Sequence, residues 1–164
     1  MADFRFTNEH SAQDVANIVD VLRGPRLWIP TDQDYPNHSV WLDKTEAQIV
    51  DGTKRAMAAY SGKLAVGSVI YQRHPEIPTV LELRNISLAP DMRGRHFGHF
   101  LLHTAEGEAA RNDFPGIEEI VVDTKVTNEG MISFLLAQGY DIKEITDLYG
   151  LGAGLDVVFS KTLK

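Results

Sequence analysis

Arg93, Gly94, Arg95 and Gly98 stand close together in the run ISLAPDMRGRHFGHFLL, which begins at Ile86 as a strand would and ends at Leu102 as a helix would. The first turn of a helix leaves backbone N–H groups unbonded and carries a partial positive charge, so it attracts an anion. Glycine lets such a ligand reach the backbone, because no Cβ intervenes. The arginines add fork-shaped donors that suit phosphate. A plain strand-to-helix connection with solvated arginines is the competing reading of this turn. Further along, His99, His103 and Glu106 fall at i, i+4 and i+7, and two histidines so spaced can hold zinc. Phe100 stands where the zinc-protease pattern needs glutamate. The apolar face of the helix is Phe97, Leu101 and Ala105, so a solvated polar face is expected for the histidines, and no metal.

The elements that must position these residues follow from periodicity. DFRFTNEH alternates as a strand does. SAQDVANIVDVLRG is an amphipathic helix with Ser11 or Asp14 as cap, Gly24 as stop, and Val15, Ile18, Val19 and Leu22 on one face. GPRLWIPTDQDYP reads as a loop. HSVWLDKTEAQIVDG reads as a second helix with Val40, Trp41, Ile49 and Val50 as its apolar members. A hairpin turning at Ser61-Gly62 and the strand TVLELRNISL precede the Arg-Gly-Arg turn. A helix from about Gly94 to Arg111 follows it. IEEIVVDTKV is a buried strand, NEGMISFLLAQG a helix capped by Asn128 and stopped at Gly139, and YDIKEITDLYG and LDVVFSKTL are strands joined through GLGAG. The order β-α-α-β-β-β-α-β-α-β-β predicts an α+β fold with a central mixed sheet, in one domain over 1–164.

Composition bounds the chemistry. The 164 residues suffice for a full core, and the formal net charge of -7 disfavours a nucleic-acid binder. There is no cysteine, which excludes disulfides, thiolate metal sites and a Cys nucleophile and fits a reducing compartment. No basic region followed by an apolar run opens the chain, and no window has the apolar length of a membrane span. A cytoplasmic protein with no membrane partner is expected.

The run LELRNISLAPDMRGRHFGHFLL resembles the acetyl-CoA-binding motif of the GNAT N-acetyltransferase superfamily: an apolar strand, a proline, then Arg/Gln-x-x-Gly-x-Gly/Ala opening a long helix. Arg93 takes the first position and Gly98 the last; His96 replaces the first glycine, and histidine tolerates positive φ poorly. TNEGMISFLLAQGYD is similar to the second family block, with Asn128 at its Asn and Gly139-Tyr140 at its Gly-aromatic close. The resemblance implies a mostly antiparallel sheet of about seven strands with helices on both faces. It also implies that the pyrophosphate of acetyl-CoA lies on the backbone N–H groups of Arg93, Gly94, Arg95, His96, Phe97, Gly98 and His99. The pantetheine arm would pair with a splayed strand at Ile86 and Leu88, and Asn128 would hold it from the other side or serve as a simple cap. Pairing of two copies through the last strands is common in the family.

The reaction so implied is attack of a primary amine on the thioester. The Leu88 N–H could polarise the carbonyl oxygen. Glu82 is the candidate base, and an outward residue paired with Arg84 is its alternative. The family's tyrosine acid falls at Leu135, beside Phe134, and neither donates a proton; Tyr149 is the candidate replacement. Trp28, Tyr35 and His38 are expected to contact the acceptor; for Trp41 core packing is the alternative. The acidic balance favours a cationic acceptor: a polyamine, an aminoglycoside or a peptide amine. A sensor that binds acyl-CoA without turnover is the alternative function, and an anion- or RNA-binding domain a third.

Overall fold

The computed structural model describes residues 4–24, 37–150, 152 and 154–163. In chain order the elements are β1 (Phe4–Thr7), α1 (Ala12–Arg23), α2 (His38–Val50), β2 (Lys54–Ser61), β3 (Leu64–Arg73), β4 (Val80–Leu88), α3 (Phe97–Glu108), β5 (Glu119–Lys125), α4 (Glu129–Ala137), β6 (Asp141–Thr146) and β7 (Asp156–Thr162). The expected order and fold class hold. The strands form one seven-stranded sheet in the order β1-β2-β3-β4-β5-β7-β6. Among the described residues only β4 and β5 run parallel.

Alternation along β2 and β3 sends side chains to two cores. Val69 and Tyr71 join Leu101, Leu102, Ala105 and Leu135 from α3 and α4 on one face. Ala56, Ala58, Tyr60 and Ile70 meet Val15, Ile18, Val19, Leu22 and Leu42 from α1 and α2 on the other. Helix α1 starts with a capping box: Ser11 Oγ accepts from the Asp14 N–H at 3.2 Å, and the Asp14 carboxylate accepts from the Ser11 N–H at 3.0 Å.

Two helices depart from expectation. In α2 the buried residues are Leu42, Thr45 and Ile49, while Val40 and Val50 are exposed. Thr45 is inside because its hydroxyl accepts from the buried Lys54 Nζ at 3.0 Å. Helix α3 begins at Phe97 rather than Gly94, because Gly94 and His96 are both left-handed, with φ of 71° and 62°. At its other end it widens into a π turn over Ala109–Asp113. That turn carries the Asp113 carboxylate to the Tyr71 hydroxyl at 2.6 Å and the Arg55 Nε at 3.2 Å. Glu106 is buried, not on a solvated face: it accepts from the Tyr140 hydroxyl at 2.5 Å and from Lys161 Nζ at 3.0 Å.

The strand that bears the site is held close by a glycine. A Cβ on Gly67 would lie 2.8 Å from Leu88 Cδ1, 3.0 Å from the Ser87 carbonyl oxygen and 3.2 Å from Leu101 Cδ2. Gly67→Ala therefore crowds β3, β4 and α3 together. The expected cost is about 1–3 kcal/mol, read as a Tm lower by roughly 2–12 °C in a thermal scan; an unchanged Tm would show that β4 has room to move.

Candidate active site

Strand β4 is paired with both neighbours only over its first half. Its parallel pairing to β5 runs from Val80↔Glu119 to Leu83↔Val122 and stops there. Opposite β3 the register jumps from Tyr71↔Leu83 to Ile70↔Asn85, so Arg84 is an extra residue with no β3 partner. A bulge of this kind bends its strand and increases local twist, and it sits where β4 leaves β5.

Beyond the bulge the backbone direction is settled by one hydrogen bond. Ala89 donates to Val66 O at 2.8 Å, and Leu88 and Ile86 lie opposite Gly67 and Val69. In an antiparallel ladder alternate residues point their N–H and C=O groups to opposite sides. Ile86 and Leu88 thus direct theirs away from β3, into the gap left by β5. The Leu88 carbonyl is taken by Arg93 Nε at 3.1 Å.

The gap opens into a cavity of about 510 Å³. Ile86, Ser87 and Leu88 line it from β4, and Arg93, Gly94, His96, Gly98 and His99 from the turn and start of α3. The first bond of α3 runs from the Phe100 N–H to His96 O at 3.0 Å, so the N–H groups of Phe97, Gly98 and His99 lie ahead of the helical ladder. His96 adopts the positive φ that its side chain disfavours. The nearest atoms that a Cβ on Gly98 would meet belong to Phe134 and Leu88, at 3.5–3.8 Å. Arg95 and the Phe97 side chain are not at the cavity; the Phe97 ring packs on Phe4 at 4.8 Å.

The far wall is α4. Asn128 lines the cavity, and its amide is engaged at both ends: Oδ1 accepts from the Met131 N–H at 3.2 Å, and Nδ2 donates to Thr124 Oγ1 at 3.2 Å. Gly130, Met131, Phe134 and Gln138 complete the wall. The spacing of 131, 134 and 138 is one helical face, a signal the sequence carried but which the family blocks did not single out. Leu135, by contrast, is fully buried in the core.

The opposite face of the sheet carries polar groups at the same place. Glu82 accepts from Gln72 Nε2 at 2.6 Å and lies 3.7 Å from His74 Nε2, so its partners come from the end of β3 and the residue after it and not from Arg84. Tyr149 donates to Asp123 Oδ2 at 2.8 Å. His38 stacks on Trp41 at 5.7 Å, and Trp41 in turn covers Lys54 Nζ at 4.9 Å. Trp28 and Tyr35 lie outside the described residues. Lys125 and Asp156 form a buried ion pair at 2.9 Å, and Lys125 Nζ also donates to the Gly154 carbonyl at 3.4 Å. Among the described residues no group of three His, Cys, Asp or Glu side chains could hold a metal ion.

Burial holds Lys54 down to about 8 from its ordinary 10.5, helped by the positive charges of Arg84 and Lys44. Between those pH values the unfolded chain binds a proton that the folded chain does not, so this group makes stability rise with pH. Urea unfolding across that window should show the natural chain gaining stability relative to Lys54→Met, with a constant difference below it; a difference flat throughout refutes the shift. Asp156→Asn leaves the buried Lys125 without its counter-charge, and a loss of about 3–5 kcal/mol is expected from denaturant midpoints. Glu119→Gln, at the exposed pair with Lys143, should cost less than about 1 kcal/mol.

A family model described as the acetyltransferase (GNAT) family matches residues 18–140. No curated protein matches the chain in sequence. Among solved structures, a GNAT-family protein from Desulfovibrio desulfuricans superposes with a TM-score of 0.78 at 13% identity, covering 98% of this chain and 99% of the other. The PaiA N-acetyltransferase from Thermoplasma acidophilum, solved in complex with coenzyme A, gives 0.73 at 19% identity over 98% and 99%. The ribosomal-protein-S18-alanine N-acetyltransferase from Escherichia coli gives 0.70 at 13% identity over 99% and 95%. At these identities the likeness is one of fold.

Proposed function

Because the chain belongs to the GNAT acetyltransferase family, we propose that it is an N-acetyltransferase acting as one cytoplasmic domain, moving an acetyl group from acetyl-CoA to a primary amine by direct attack in a ternary complex. The observation that carries this reading is the cavity between the departing half of β4 and the first turn of α3. Its chemistry suits a nucleotide thioester in two parts. The Arg93 N–H is taken by the Pro90 carbonyl at 3.3 Å, but the N–H groups of Gly94, His96, Gly98 and His99, at the cavity and with two left-handed residues among them, suit a pyrophosphate. The main-chain groups of Ile86 and Leu88, turned away from β3, suit an amide-bearing arm added like a strand. Asn128 faces that arm from α4. A PaiA relative solved with coenzyme A has this fold, which supports the choice of ligand.

The reaction asks for alignment, a polarised carbonyl, a deprotonated amine and a leaving thiolate. Alignment alone supplies much of the rate. The Leu88 N–H would polarise the thioester oxygen, its direction being kept by the Arg93 bond to the Leu88 carbonyl. The α4 wall offers Met131 and Phe134, not a proton donor. A thiol of pKa near ~8.5 leaves tolerably without an acid. The acceptor would enter from the face bearing His38, Trp41 and Glu82. That same apolar α4 wall favours one second reading, an acyl-CoA sensor that does not turn over.

Two measurements test the proposal. Acetyl-CoA at a hundred times its Kd should stabilise the fold by about 2.7 kcal/mol. Gly98→Glu, whose Cβ would make ordinary contacts of 3.5–3.8 Å with Phe134 and Leu88 on the cavity wall, should fold with unchanged circular dichroism and lose that stabilisation. Free thiol should appear when a polyamine, an aminoglycoside or a peptide amine is added. Binding without thiol release from any of them selects the sensor; a folded Gly98→Glu that still responds to acetyl-CoA overturns the site.

A further inference from the structure

The acceptor side of the gap holds a guanidinium that no carboxylate among the described residues pairs with. Arg84 is the residue that the β3 ladder skips, between Leu83 opposite Tyr71 and Asn85 opposite Ile70. Leu83 points into the α3/α4 core, so alternation turns the half-buried Arg84 to the α2 face. Its charge is felt there by Lys54 on β2 and by Asp123 on β5. We infer that the acceptor carries a carboxylate as well as its amine, that Arg84 binds that carboxylate, and that the acceptor is therefore an amino carboxylic acid. This inference rests on the acyl-transfer reading above and names the substrate class of that site.

Three observations point to an acid group here. The first is the missing counter-charge. Among the described residues no carboxylate lies within ion-pair distance of Arg84. Those nearby are engaged elsewhere. Glu82 accepts from Gln72 at 2.6 Å and faces His74 at 3.7 Å, Asp123 accepts from the Tyr149 hydroxyl at 2.8 Å, and Asp156 pairs with Lys125 at 2.9 Å. The second is the company Arg84 keeps. The Lys54 ammonium lies 4.9 Å from the centre of the Trp41 ring and donates to the Thr45 hydroxyl at 3.0 Å, and neither partner is an anion. Burial, then the charges of Arg84 and Lys44, hold Lys54 down to about 8. A bound anion would relieve that repulsion.

The third is position. Arg84 comes directly after the last β4–β5 pair, Leu83↔Val122, and stands four residues before Leu88, at the cofactor cavity. An extended strand covers that separation in about 13 Å. A side chain reaching along it can hold one end of a small molecule whose other end meets the thioester. The guanidinium offers two parallel N–H donors that match the two oxygens of a carboxylate. The net charge of -7 favoured a cationic acceptor. At the gap, however, Lys44, Lys54 and Arg84 outnumber Glu82 and Asp123. A ligand meets that local charge, because exposed charges farther away are screened.

The test uses the full chain and matched pairs of acceptors: amino acids from α to ε, each beside its own carboxamide, with spermidine as the cationic control. Affinity is read as KM in thiol release from acetyl-CoA, and again as a thermal shift in the presence of coenzyme A, which needs no turnover. At least one amino acid should be preferred over its carboxamide by roughly tenfold to a hundredfold, the range of a hydrogen bond to a charged group. In Arg84→Gln that ratio should fall to near one while acetyl-CoA still shifts the Tm, and Arg84→Lys should restore part of it. A merely structural Arg84 would weaken acid and carboxamide alike and leave the ratio unchanged, which overturns the inference. Preference for spermidine or for the carboxamides over every acid overturns it too. An absent acetyl-CoA shift in the natural chain would overturn the acyl-transfer reading and this inference with it, whereas a retained shift without preference for any acid would overturn this inference alone.

Discussion

One surplus residue governs the centre of this molecule. Arg84 has no partner on β3, and past it β4 no longer pairs with β5. A parallel pair that continued to the strand ends would satisfy the N–H groups of Ile86 and Leu88 and close the sheet. Parting the strands leaves those groups facing a cavity instead, and it makes two surfaces meet at one slot: an apolar, amide-lined side under α3 and α4, and a charged side below α2. The bulge exchanges ladder hydrogen bonds for a place where two ligands can touch.

The rest of the fold restrains that opening. Gly67 allows Leu88 and Leu101 to close against β3, so the free half of β4 is supported by packing on one edge only. Buried polar ties then fix the flanks. Glu106, Tyr140 and Lys161 join α3 to β7. Asp113 joins the end of α3 to Tyr71 and Arg55. Lys125 and Asp156 lock β5 to β7 at the far side of the gap. Each pairs its charges inside the protein, as burial demands. Asp123 differs, since its nearest partner is a neutral hydroxyl.

Much of the fold could be read from the chain. The face of α1, both of its capping residues, the hairpin turn at Ser61-Gly62 and the cap at Asn128 all depend on neighbours a few residues away, and local physics decides them. The α2 face was read less well: Val40 and Val50 look apolar by type, but a buried lysine on β2 draws Thr45 inward. Histidine disfavours a left-handed backbone, yet the structure holds His96 at φ 62°. Glu106 shares its helical spacing with His99 and His103, and nothing nearby in the chain marks it as buried, because its partners Tyr140 and Lys161 are 34 and 55 residues away.

The sequence alone determined the order of the elements and the turn where backbone N–H groups collect, since spacing, glycine, proline and capping act over one or two helical turns. Only the tertiary structure decided which strand edge stays open, which carboxylates are paired and which hydroxyl meets Asp123. Those outcomes depend on register between strands and on burial, and both are set by residues far apart in the chain.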